Sequence, residues 1–123
     1  MIAQLQEVML YVDDQENAKQ FWTDKLNFHM VSDDVTNDMR VIILKPTPDA
    51  ETAIVLHDKA KVEAMEMGVD TGTPSLMFVS EDIHALYDNL KSKGVTVGEK
   101  VEMNGGIVFN FADDEDHYFA VRN

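Results

Sequence analysis

Apolar and polar residues interleave along residues 5–12, and a two-residue period divides them between two faces. Glu7, Met9 and Tyr11 fall on one side, and Val8, Leu10 and Val12 on the other, which predicts a strand. The period then changes. Ala18, Phe21, Trp22, Lys25 and Leu26 recur at three- and four-residue steps, the spacing of an amphipathic helix with one buried side. Asp13 or Asp14 stands where a helix N-cap belongs, its carboxylate able to accept from the first free N–H groups. Residues 28–32, 39–45 and 52–57 read as three further strands, separated by an acidic turn over 33–38 and a proline-stiffened turn over 46–49.

The same order then returns. Residues 75–80 read as a strand and 83–93 as a helix begun by Asp82 and ended by Gly94, with strands near 95–97, 106–111 and 118–122. Asp14 and Asp82 open the two helices in equivalent roles, 68 residues apart. That period is too long for a solenoid of many short units. It predicts an α+β fold of two βαβββ repeats, their curved mixed sheet lining a cleft and their helices on the outer face. The expected boundaries are 1–57 for the first repeat, 58–74 for a linker with a short helix over 59–67, and 75–123 for the second, within one domain of 123 residues.

Composition narrows the function classes. A hydrophobic fraction of 45% supports a packed core. No apolar run is long enough for a membrane-spanning helix, and no secretory signal opens the chain. The net charge of −13 argues against nucleic acid, which demands clustered Lys and Arg. The chain has no cysteine, which excludes thiolate chemistry and is compatible with a cytoplasmic location. No nucleophile elbow, phosphate-binding loop, dinucleotide fingerprint or H-E-x-x-H pair occurs. The acidic run from Asp113 to Asp116 lacks the glycine and closing glutamate of a calcium loop and reads as a hairpin turn.

Several short patterns point to one family when taken together. Val12-x-Asp14, Ala18, Phe21-Trp22 and Leu26-Asn27-Phe28 in the first half are matched by Asp82, Leu86, Leu90 and Gly94-Val95 in the second. The chain closes on Gly106-Ile107-Val108-Phe109-Asn110-Phe111-Ala112-Asp113 and Tyr118-Phe119-Ala120-Val121. This order resembles the vicinal oxygen chelate superfamily of glyoxalases, bleomycin resistance proteins and dioxygenases. Trp22 stands for that family's tyrosine, Asn27 for a glycine, and Asp114 and Asp116 for a proline and a glycine.

The resemblance implies four strand positions that, in the family's enzymes, hold a divalent metal through His, Gln or Glu. Here they are Glu7, Ser75, Val55 and Ala120, of which Glu7 alone is a competent ligand. The expectation is therefore no metal and no cofactor at that site. The implied role is a resistance-type protein that sequesters a small apolar or aromatic molecule in the cleft between the repeats. Its expected lining is Met9, Tyr11, Ser75, Met77, Phe109, Phe111 and Arg122, with Glu7 and His57 as the candidate catalytic or anchoring pair. The alternative is a metal-dependent lyase, isomerase or dioxygenase in which Glu7 and His57 hold a divalent metal or act as base and orienting partner. Family members of this size commonly form homodimers, and the same is expected here.

Overall fold

The computed structural model describes residues 1–123 and divides them into two compact units, Met1–Thr73 and Pro74–Asn123. Each is a βαβββ repeat. The first contains β1 (Glu7–Val12), α1 (Gln15–Gln20), β2 (His29–Thr36), β3 (Met39–Lys45) and β4 (Ala53–Asp58), followed by a short helix α2 (Lys59–Ala64). The second contains β5 (Met77–Val79), α3 (Ile83–Ser92), β6 (Val101–Met103), β7 (Gly106–Ala112) and β8 (Tyr118–Arg122). The sheets have one topology, β1-β4-β3-β2 and β5-β8-β7-β6, in which the first strand of each repeat lies parallel to the last.

The helix boundaries follow from local chemistry. Asp14 accepts from the Asn17 N–H at 3.0 Å and Asp82 from the Ala85 N–H at 3.1 Å, the same cap in both repeats. Gly94 ends α3 with φ +79, while Val95 N donates to Leu90 O and Gly94 N to Lys91 O, the paired bonds of a Schellman terminus. After Gln20 the first helix widens into a π-helical turn over Phe21–Lys25, and Phe28 N reaches back to Trp22 O at 2.9 Å. Asn27 has φ +58 and Asp116 φ +61, left-handed conformations that explain why a family pattern places glycine there and why Asn and Asp substitute for it.

One face of each sheet is covered by its helix. In the first repeat Leu10, Leu56 and Ile42 align across three strands, as do Val8, Ile54 and Leu44. All but Val8 are buried, together with Ala18, Phe21 and Trp22 from the helix. In the second, Phe109 and Val121 pair, Phe111 and Phe119 pair, and Phe78 meets Phe111 at a tilt and Phe119 edge-on. Tyr87 of α3 meets Phe109 edge-on at 4.9 Å between centroids.

Three elements differ from the sequence expectation. The acidic stretch 33–38 is not one turn: β2 continues to Thr36, and only Asn37 and Asp38, both at positive φ, make a two-residue hairpin. After an irregularity between Met30 and Ser32 the strand pairs on to Thr36, and Asp33 points to the helix side, where it accepts from Arg40 Nε at 2.8 Å, Arg40 Nη2 at 2.7 Å and Lys19 Nζ at 3.1 Å. The strand expected at 95–97 amounts to a single bridge from Val97 to Phe111, and the third partner of the second sheet is Val101–Met103. The helix expected over 59–67 is shorter, running from Lys59 to Ala64 behind an Asp58 cap.

Candidate functional site

The face of the first sheet turned away from α1 carries most of the expected chemistry. Register places Glu7 opposite Ala53, Met9 opposite Val55 and Tyr11 opposite His57, all on that face. Val41 and Ile43 of β3 extend the same rows beside His57 and Val55. Tyr11 and His57 form a stacked ring pair, 5.7 Å between centroids with planes 23° apart. The Met9 sulfur lies 3.2 Å from His57 Nε2. Burial lowers the His57 pKa from its ordinary value, and the negative charge of Glu7 partly opposes that shift. Burial thus favours the neutral imidazole.

Glu7 and His57 share the face without meeting. His57 stands four residues beyond the partner of Glu7, a separation of about 13 Å along the strand at the usual rise. Glu7 opens instead into a groove of about 400 Å³ at the other end of the sheet, shared with Gln4, Gln6, Lys45 and Glu51.

The second sheet offers a different face. Met77, Ala120 and Asn110 align across it, as do Val79, Arg122 and Val108. Met77 and Arg122 thus lie on the expected side. Arg122 is engaged locally: Nε donates to Asn123 O at 3.3 Å and Nη2 to Asn104 O at 3.4 Å, across Gly106, where a Cβ would stand 2.5 Å from Nη2.

Phe109 and Phe111, expected among the lining residues, belong to the opposite, helix-facing side. Their cross-strand partners Val121 and Phe119 are buried there, whereas Ala120 and Arg122 are offset by one residue and point the other way. The position that takes their place is Asn110, exposed and the one polar side chain within β7. Ser75 precedes β5 and is exposed, outside the ladder altogether.

A multi-donor divalent site of the kind the family's enzymes use does not fit these residues. No three His, Asp or Glu side chains converge, and Val55 and Ala120 occupy strand positions without donor atoms. Within the first unit, what the geometry assembles is a ring pair, a thioether and apolar neighbours, a surface suited to holding a planar molecule.

Comparison with known proteins agrees with this architecture. The model of the Glyoxalase/Bleomycin resistance protein/Dioxygenase superfamily matches residues 4–121. The chain is 33% identical to the uncharacterized protein YetH of Bacillus subtilis (strain 168) over 123 residues, 99% of both chains. Among solved structures, UcmS2 is similar with a TM-score of 0.82 at 27% identity, covering 99% of this chain and 98% of its own. TnmS3, an antibiotic binding protein from Streptomyces sp. CB03234, shares the fold with a TM-score of 0.82 at 24% identity, covering 98% and 94%. The repeated βαβββ units, the shared sheet order and this match over nearly the whole length lead to one assignment: the chain belongs to the glyoxalase/bleomycin resistance protein/dioxygenase superfamily.

Proposed function

We propose that this protein binds and sequesters a small apolar or aromatic molecule on the open face of its first sheet and performs no metal chemistry there. The stacked Tyr11–His57 pair, with the Met9 thioether against it, carries the reading. Rings give flat apolar area with little conformational entropy to lose, and a thioether adapts to an irregular ligand edge. TnmS3 supports the idea at the level of fold alone: an antibiotic-binding role is housed in this architecture. The alternative, a metal-dependent lyase, isomerase or dioxygenase using Glu7 and His57, needs further donors and a closer approach of these two.

Metal-stripped protein titrated with an environment-sensitive aromatic probe tests the reading. Tyr11→Leu removes one of the two rings and is expected to weaken binding by up to about tenfold, one lost aromatic contact. A parallel thermal-shift series with Mn, Fe(II), Co, Ni and Zn tests the alternative. Selective stabilisation that disappears in both Glu7→Ala and His57→Ala would overturn the binding reading in favour of an enzyme.

We also place a homodimer contact on the open face of the second sheet. Met77, Val79, Val101, Met103 and Tyr118 are all exposed on that face, and none of its paired strand positions is acidic, Glu99 lying at its edge, in a chain of net charge −13. A largely apolar face poor in like charge is where two such acidic molecules can approach. Sedimentation should show a dimer that Val79→Lys dissociates and Val35→Lys, at an exposed position on the first sheet, leaves intact. No helix is long and apolar enough to cross a membrane, and we place the protein in the cytoplasm, whose reducing conditions a chain without cysteine suits.

A further inference from the structure

The ring platform also has a polarity, which bears on the class of ligand and rests on the binding reading above. A thioether sulfur offers lone pairs and no hydrogen, so the 3.2 Å contact of His57 Nε2 with Met9 Sδ calls for the ring hydrogen on Nε2. A neutral imidazole protonated there keeps its lone pair on Nδ1, and Nδ1 has no hydrogen-bond partner within the protein. Burial favours that neutral form. His57 is half-buried, so Nδ1 belongs to a ring still reachable from solvent.

The rest of the face points the same way. Glu7 is an acceptor, and its groove holds two carboxylates, Glu7 and Glu51, against the single ammonium of Lys45. The apolar neighbours Val41, Ile43 and Val55 offer no donor. An anionic ligand beside His57 would meet repulsion from Asp34, in the same row as Val41 and His57, and from the overall charge of −13. A planar ligand packed against that ring edge without a donor would cut the in-plane lone pair off from water and leave it unsatisfied, which costs binding free energy.

We propose that the ligand of this face is an uncharged or cationic planar aromatic that approaches the imidazole edge in the plane of its ring and donates an O–H or N–H hydrogen bond to His57 Nδ1, packing against the apolar neighbours of the Tyr11–His57 pair. The tautomer selects for a phenol or aryl amine over an ether, and Asp34 and the overall charge select against an acid. Met9 acts as the positioning residue that holds the tautomer.

Three naphthalenes of one shape test this: 2-naphthol, 2-methoxynaphthalene and 2-naphthoate, titrated by fluorescence against the intact chain at neutral pH. The naphthol should bind at least about tenfold more tightly than its methyl ether, one hydrogen bond to a partly buried acceptor, and the naphthoate should bind most weakly. His57→Phe keeps a ring in place and removes the acceptor, so it should equalise naphthol and ether without abolishing either. Met9→Leu frees the tautomer and should narrow the gap. Equal binding to the wild type, tightest binding of the naphthoate, or a naphthol preference that survives His57→Phe would overturn the inference while leaving the binding reading in place. Failure of all three probes to bind would overturn both.

Discussion

The two sheets share strand order, parallel closure and helix caps, yet their open faces carry different side chains. Tyr11–His57 in the first repeat corresponds by register to Val79–Arg122 in the second, and Met9 corresponds to Met77. In the first, the pair stacks, the methionine touches the imidazole, and Val55 behind them is 2% exposed. In the second, Val79 is 75% exposed, Met77 is 52% exposed, and the arginine is drawn aside to backbone carbonyls near the hairpin. An aromatic pair makes a platform by itself, because two rings satisfy each other's faces. A valine beside an arginine cannot, and that face leaves Met77 and Val79 exposed. A duplicated fold therefore preserves the helix-facing side, where packing is demanding, and diversifies the other.

The largest test of that contrast lies in the shared cores. Trp22 and Leu90 occupy equivalent helix positions, and both are fully buried. Trp22→Ala is expected to cost about 3–5 kcal/mol and Leu90→Ala about 2–5 kcal/mol in chemical denaturation. If either cost fell below about 1 kcal/mol, the equivalence of the two cores would fail.

Next comes the network that the second repeat lacks. Arg40 and Lys19 clamp Asp33, holding its carboxyl far below the usual carboxylate range, chiefly through the Arg40 hydrogen bonds. Asp33→Asn should cost about 1–2 kcal/mol at neutral pH, since the clamp is partly screened by solvent. The pH dependence has a definite sign. A depressed carboxylate stabilises the fold above its unfolded value of 3.8, and that contribution fades as pH falls below it toward the folded value. The difference between Asp33→Asn and wild type should accordingly shrink under acid.

A smaller effect belongs to His57. Burial lowers its pKa, so below the ordinary value of 6.5 the unfolded chain takes up a proton that the folded chain resists. Stability should decline as pH falls through that region, and His57→Phe should flatten the slope. An unchanged slope would mean that the imidazole is not desolvated. The smallest effect is expected at Val79→Lys, within about 0.5 kcal/mol for the isolated chain, because the exposed side chain loses little burial. A cost near that of a core substitution would show that the second open face is not open.

Much of the fold was legible from sequence because its signals are local. The caps at Asp14 and Asp82 and the stop at Gly94 depend on a few consecutive backbone groups, so the residues beside them suffice. The face shared by Glu7, Met9 and Tyr11 follows from alternation within one strand. Position along the ladder is another matter. Phe109 and Phe111 alternate correctly within β7, but which side that parity faces depends on pairing with β8 through the turn at residues 113–117. The acidic residues of β2 looked like a turn because the cations that neutralise Asp33 come from α1 and β3.

The candidate site divides in the same way. Sequence alone determined that Tyr11 and His57 were available on strands of one repeat, that Glu7 was the one donor at the family's metal positions, and that no cysteine chemistry existed. Only the tertiary structure decided that His57 meets Tyr11 and Met9 rather than Glu7. Strand pairing is set by contacts distant in sequence, and a shift of one residue exchanges the two faces of a sheet.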